Sequence, residues 1–362
     1  MKTKKIGIDA RMIGHSGIGT RIYHILKLLP LYISLKNIVL YGETEALTEF
    51  QKDYEIISYN VPIYSLKELL GHSTMKYIDI LDIPHFNVPL RFLTKCMVTI
   101  HDIIPYKMRE YHNSIQKRIY LKVILNSIKL LSKKIIVVSE YTKRDLVESF
   151  DYKHNVPEVI YNAVDHALFK PQNEKDKEEF RNKYHLPEKY LLAVGIGKEH
   201  KNLRFIVNNL STLWANKDCN YPLVIAGSNG IVPESIQDIF LHFKNYIIPF
   251  PKIAYNELPL LYACANMLIF PSLYEGFGFP VLEAQSVGCP VLSSNATVLP
   301  EVLRETAHYF HPQDNNGFVS IFTKLISDKS LLDKYKEVGF QNSKMFQWDS
   351  SVRRIAEIYE SI

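Results

Sequence analysis

The densest chemistry in the sequence lies in PSLYEGFGFPVLEAQSVGCPV (271–291). Glu275 and Glu283 stand eight residues apart, with Gly276, Phe277 and Gly278 between them and Pro280 placed for the first turn of a helix. Gly-Phe-Gly permits backbone angles closed to other residues and lets a ligand approach the amides. One carboxylate on a loop and one in the following helix can each accept paired hydroxyl hydrogen bonds, as sugars and riboses offer them. A glycosidase also uses two acids, but on opposite sides of a scissile bond. These two come from one wall. The plain structural role for Glu283 is that of a dipole partner near a helix start.

Three further stretches carry groups suited to an anionic or hydroxylated ligand. IGKEHKNL (196–203) sets Lys198 and Lys201 at the entry to a helix, where cations and free amides make an anion pocket; the plain alternative is two solvated lysines. GHSGIGTR (14–21) places Gly17 and Gly19 at another helix start, where amides can approach a phosphate; the alternative is a tight turn. A dinucleotide fingerprint needs a third glycine where Ile22 stands, which argues against NAD. His101 is next to last in CMVTIHD (96–102), and its imidazole can donate to a substrate hydroxyl or phosphate, or else serve as a buried structural group.

The elements that position these residues follow one pattern. Strand-like runs fall at 4–10, 37–42, 54–59, 80–86, 96–102 and 134–140, then at 190–195, 222–227, 245–250, 266–272 and 289–294. Helix-length stretches such as 17–35, 201–216, 279–288 and 331–344 separate them. Continuous apolar strands between amphipathic helices predict parallel sheets covered on both faces. The pattern occurs twice, as two Rossmann-like doubly wound domains facing across a cleft. The break falls in the proline-bearing, charged stretch 169–189, giving domains 1–170 and 171–345. Ligands of such sheets bind beyond the carboxyl ends of the strands, where all the residues above are found.

Composition narrows the class. The 362 residues are 47% hydrophobic and 22% charged, as in soluble globular proteins. No apolar run reaches the ~18–20 residues that span a bilayer, and no signal peptide is evident. Cys96, Cys219, Cys264 and Cys289 are far apart without a CxxC pair, which argues against disulfides or zinc and fits a reducing cytoplasm. The net charge of +5 is uneven: residues 1–170 hold 24 Lys and Arg against 17 Asp and Glu, and the remainder 19 against 21. A basic half predicts that one domain meets something anionic. Nucleic acid is set aside because no recognised module accompanies the charge.

EGFGFPVLE, with IDARMIGHSGIGTRIY (8–23), VTIHDIIP (98–105), VSEYTKRDL (138–146), VIYNAVDHALFKP (159–171), GKEHKNL (197–203) and LVIAGS (223–228), resembles the retaining glycosyltransferase family 4, which has the GT-B fold. The tail FQWDSSVRRIAEIYESI (346–362) is similar to the helix that crosses back to the N-terminal domain in this fold. The resemblance implies a nucleotide-sugar donor on the C-terminal domain and an acceptor on the N-terminal one. By that likeness Glu283 would bind the ribose, and Glu275 with the amides of Gly276, Phe277 and Gly278 the donor sugar. Lys201 would neutralise the diphosphate, Gly17 would approach it, and His101 would hydrogen-bond the transferred sugar. The family often has arginine where Ile196 stands, and the missing charge is assigned to Lys198, with His200 second. The opening motif and HDIIP look most like mannosyltransferases of bacterial polysaccharide and lipopolysaccharide assembly, so GDP-mannose is the leading donor and a UDP-linked sugar the other.

No Asp-x-Asp is present, the nearest pair being Asp79 and Asp82, so a metal-independent enzyme without a cofactor is expected. SIQKRIYLKVILNSIKLLSKK (114–134) interleaves lysines with apolar residues at near-helical spacing. It reads as a helix able to lie on an anionic membrane, against the alternative of a packed helix with a solvated basic face. On the first reading the acceptor is a lipid-linked saccharide at the inner face of the plasma membrane; otherwise it is a glycan. Two rival functions share the fold: a nucleotide-sugar 2-epimerase, which needs no acceptor, and a non-catalytic nucleotide-sugar or glycan-binding protein.

Overall fold

Runs rich in Val, Ile and Leu become short parallel strands, buried on both faces because helices cover each side of their sheet. The computed structural model describes residues 4–108, 114–153, 155–195 and 197–362. It forms two units: Met1–Asn162 with Gln347–Ile362, and Ala163–Phe346.

In the first unit, β1 (Ile6–Asp9), β2 (Ile38–Gly42), β3 (Glu55–Ser58), β4 (Ile80–Ile83), β5 (Cys96–Ile100), β6 (Lys134–Val137) and β7 (Glu158–Val159) lie in the order β3-β2-β1-β4-β5-β6-β7. In the second, β8 (Leu191–Val194), β9 (Leu223–Ala226), β10 (Ile247–Pro249), β11 (Met267–Phe270), β12 (Val291–Ser294) and β13 (His308–Phe310) lie in the order β10-β9-β8-β11-β12-β13. All pairings are parallel. Both are doubly wound, and the strand order reverses at β1/β4 and at β8/β11. Those two points are where such sheets open a crevice for ligands.

Every strand read from the sequence forms, usually trimmed at its ends. The run 80–86 stops at Ile83 because Pro84 has no N–H to give a ladder. The helix expected over 17–35 is Ser16–Leu28, followed by a tight turn Leu29–Leu31 around Pro30. β7 and β13 were not anticipated, being two and three residues long without an apolar run.

The division between units falls at 162/163 and 346/347 rather than at 170/171 and 345/346. Val164 donates its N–H to the Phe346 carbonyl at 3.4 Å, and the His166 ring bonds the same carbonyl at 3.1 Å, so the two passages of chain run side by side. The charged stretch 169–189 is not a free linker. Asn173 caps the helix Glu174–Tyr184 by accepting from the Asp176 N–H, and Phe180 packs that helix on Phe250.

The helix Trp348–Ser361 belongs to the first unit. Val352, Ile355 and Tyr359 share a core with Ile22, Ile25 and Leu26 of Ser16–Leu28, and Trp348 stacks on His24 at 4.8 Å. The Tyr359 hydroxyl donates to Asp82 in β4 at 2.5 Å. The four cysteines are buried and unpaired, and among the described residues no helix is long and apolar enough to cross a membrane.

Candidate active site

At the β8/β11 crevice the loops bring two of the expected residues into contact. The turn Glu199–Lys201 carries Lys201 Nζ to 2.6 Å from Glu275 Oε1 on the loop after β11. Both side chains are largely buried, and the ammonium also lies 5.2 Å from the Phe270 ring centre. Little water reaches the pair, so the charge-assisted bond is strong. Two further bonds hold the loops: the Glu275 N–H donates to Thr297 Oγ1 at 3.0 Å, and the Leu273 N–H donates to the His200 carbonyl at 2.8 Å. Thr297 has φ +53°, a strained conformation for a β-branched residue.

Gly278 caps the helix Phe279–Ser286 with φ +92°, and an added Cβ would sit 3.2 Å from Leu299. Only glycine adopts this angle without strain. The Phe277 ring packs on Phe279 and Phe346, leaving its main chain as what a ligand can use, and Gly276 supplies the loop before it. Lys198 is exposed at the start of its turn and has no ion-pair partner among the described residues. His200, the second candidate for the missing charge, is buried, and Ile196 lies outside the described residues.

Glu283 is also buried, with a different partner: the Tyr262 hydroxyl, 2.9 Å from Oε2. Burial pushes the Glu283 carboxyl up to about 7, and the Tyr262 hydrogen bond offsets part of that rise. A carboxylate poised near neutrality, held by one donor, can accept ligand hydroxyls with its remaining lone pairs.

In the first unit, Gly17 and Gly19 part company. Gly19 already donates its N–H to the His15 carbonyl at 2.8 Å, and a Cβ there would lie 2.2 Å from the Ile13 carbonyl oxygen. Its smallness serves packing and its amide is spent, which corrects its assignment to phosphate binding. Gly17 is half-buried at the second position of Ser16–Leu28, where helix geometry leaves the amide without an intrahelical acceptor.

His101 follows β5, and its Nε2 lies 3.0 Å from the Pro84 carbonyl. A carbonyl only accepts, so Nε2 carries the proton and Nδ1 presents a lone pair. Burial pushes the ring down to about 3, against the Pro84 bond that favours its charged form. His101 is therefore a neutral acceptor for a hydroxyl, which corrects the expectation that it donates to a hydroxyl or phosphate.

The β1/β4 crevice holds a buried charge network that sequence reading missed. Arg11 Nε lies 2.9 Å from Asp9 Oδ1, Nη2 lies 2.7 Å from Glu68 Oε1, and Nη1 donates to the Val61 carbonyl at 3.0 Å. Its guanidinium covers the Tyr59 ring at 4.4 Å. Burial alone would raise Asp9, but the hydrogen bonds and charge of Arg11, with His85 3.5 Å away, outweigh it and hold the carboxyl well below its usual range. Asp9, Glu68 and His85 bring ligand atoms within 4.8 Å of one another, a spacing that a metal ion could use. Arg11 already bonds both carboxylates, so a divalent ion would have to displace a buried guanidinium. The network reads as a brace on residues 61–68 rather than a cage. Arg11 and Glu68 are 57 residues apart, and nothing local in either stretch signals the pairing.

Two family models match the chain: Glycosyltransferase Family 4 over residues 65–168, and Glycosyl transferases group 1 over residues 174–342. The chain is similar to the O-antigen chain mannosyltransferase B of Escherichia coli, 27% identical over 288 residues that span 76% of this chain and 73% of that one. It is 30% identical over 238 residues to the O-antigen chain mannosyltransferase RfbU of Salmonella typhimurium, covering 65% of this chain and 62% of that relative, less than two thirds of its length. Among solved structures it is similar to Anabaena HepE in complex with UDP and glucose, with a TM-score of 0.78 at 17% identity, covering 99% of this chain and 100% of that one. At that identity the likeness speaks for the fold, which is GT-B.

Proposed function

From a chain that belongs to the family 4 glycosyltransferases, we propose a retaining, metal-independent transfer of mannose from GDP-mannose to a glycan or lipid-linked saccharide in polysaccharide or O-antigen assembly. The names of the two mannosyltransferase relatives support the sugar and the pathway. A UDP-linked hexose is the alternative donor, in keeping with the complex in which HepE was solved.

The observation that carries the reading is the Lys201–Glu275 pair at the switch point of the second sheet. A bound diphosphate gives Lys201 a second anionic partner, and the negative charge that builds on its oxygens as the glycosidic bond breaks is stabilised by that fixed cation. Glu275, tied through its own N–H to Thr297, accepts hydroxyls of the donor sugar. Glu283, oriented by Tyr262, accepts the ribose hydroxyls. Within the first unit, His101 presents Nδ1 as an acceptor suited to a sugar hydroxyl, and Gly17 a helix-start amide suited to an anion. Lys198 is exposed and available for the outer phosphate oxygens. The acceptor hydroxyl forms the new bond to the anomeric carbon on the face that the diphosphate leaves, and its proton passes to a leaving phosphate oxygen.

The test is turnover with GDP-mannose, UDP-glucose and UDP-galactose in EDTA, against membrane extracts as acceptor, with the anomeric configuration read by NMR. Transfer from GDP-mannose with an axial product supports the proposal. Transfer only from a UDP-sugar would replace the donor. Loss of activity in EDTA restored by a divalent ion would end the metal-independent reading.

A further inference from the structure

The helix Ile115–Leu131 has two apolar sides. Leu121, Ile124, Leu125 and Ile128 are buried in the core of the first unit. At 100° per residue, Ile115, Ile119, Val123 and Leu130 fall on the opposite side, and all are more than half exposed, Leu130 to 74%. A packed helix with a solvated basic face would carry polar residues there. This one carries a second stripe that is apolar except for Asn126, with Lys122 beside it.

The stripe does not stand alone. The turn Leu90–Lys95 packs against both this helix and the turn Leu66–Leu70, where Leu66 is 81% and Leu70 63% exposed. Lys67, Arg91 and Lys122 are exposed on these three neighbouring segments. The segments 61–71, 90–95 and 114–133 contain one acid, Glu68, which is buried and bonded by Arg11. A surface this apolar, with cations and no exposed carboxylate, has the character of an interfacial membrane helix and not of a protein interface with mixed charge at its rim.

We infer that the segments 66–70, 90–95 and 115–131 together form a docking surface for an anionic lipid bilayer, into which the exposed leucines and isoleucines insert while the lysines meet the headgroups. The brace of Arg11 on Glu68 holds the first segment in place. The inference does not depend on which sugar is transferred, because the surface is defined by exposure and charge alone.

The test is co-sedimentation of the full chain with vesicles of phosphatidylcholine alone and of phosphatidylcholine with 30% phosphatidylglycerol, in low and high salt. The expected result is binding to the anionic vesicles only, weakened by salt. Ile119→Glu with Val123→Glu should abolish it, and Lys67→Gln with Lys122→Gln should weaken it about tenfold or more. Both variants should keep the wild-type thermal shift with donor nucleotide, which reports an intact second unit, and the wild-type far-UV spectrum. Equal binding to neutral vesicles, no binding to either, or undiminished binding by the glutamate variant would each overturn the proposal. So would a dimer in light scattering that Ile119→Glu dissolves, since the surface would then belong to a second copy of the chain.

Discussion

Removing one oxygen at Tyr262 tests the role given to Glu283. Tyr262→Phe deletes the hydroxyl that donates to Glu283 Oε2 at 2.9 Å and leaves the ring in place. The carboxyl already titrates near 7 because it is buried, and this bond is the group that favours its ionised form. A hydrogen bond to a charged group contributes about 1.5–3 kcal/mol, and 1.36 kcal/mol corresponds to one pH unit. Its loss should move the titration midpoint to roughly pH 8–9. At pH 7.5 the wild-type carboxyl is about three-quarters ionised and the variant between about one-quarter and one-thirtieth. If ribose binding needs the carboxylate, donor-nucleotide Kd should rise about three- to 25-fold at pH 7.5, and the gap should narrow toward pH 9.5. Calorimetric titration of GDP into both proteins from pH 6 to 9.5 measures this directly. A variant that stays within twofold of wild type at every pH would refute the link between Tyr262, the ionisation of Glu283 and the ribose.

Other expectations follow from the same geometry. Lys201→Met should lower kcat by about 10²–10³-fold, the scale of losing a fixed charge at a developing anion; near-normal turnover would remove Lys201 from the reaction. Arg11→Met removes the guanidinium bonded to both buried acids, Asp9 and Glu68, leaving His85 3.5 Å from Asp9, and should cost about 3–5 kcal/mol in urea unfolding. Gly278→Ala forces a side chain into a left-handed position and against Leu299, and should lower both Tm and donor affinity. His101 has a folded-state pKa of about 3, below that of an unfolded histidine, so the unfolded chain gains a proton first as the pH falls. Its contribution is therefore an increasing destabilisation from about pH 6.5 down toward 3. In His101→Asn that part of the acid dependence should be absent from denaturation curves taken between pH 7 and 5.

The architecture was legible because its signal is local. Buried parallel strands are continuous runs of Val, Ile and Leu, and all eleven that were read are present. The loop from Glu275 to Gly278 announced itself because glycine spacing and an N-terminal proline carry a backbone instruction within four or five residues. What stayed hidden is pairing between distant residues. Tyr262 looks like one more aromatic in an apolar helix, and Thr297 like an ordinary loop residue, until the fold sets one beside Glu283 and the other beneath Glu275. Asp9, Arg11, Glu68 and His85 come from three separated stretches, and only the strand order joins them. Tautomers are hidden for the same reason. A histidine at a strand end reads as a donor or an acceptor alike until a neighbour such as Pro84 claims one nitrogen.

The helix Trp348–Ser361 gives the molecule an order of assembly in time. The first unit draws Val352, Ile355 and Tyr359 into the core beneath its first helix, and Asp82 at its centre takes a hydrogen bond from Tyr359. Residues 163–346, the whole of the second unit, are translated between those two parts. At 5–20 residues per second the ribosome spends roughly 10–40 s on them. Throughout that interval the first sheet lacks the helix that covers Ile22 and Ile25, while the second unit emerges as one uninterrupted stretch. Nascent chains should therefore acquire a protease-resistant second unit first, and the unit that begins the polypeptide should be the later of the two to close.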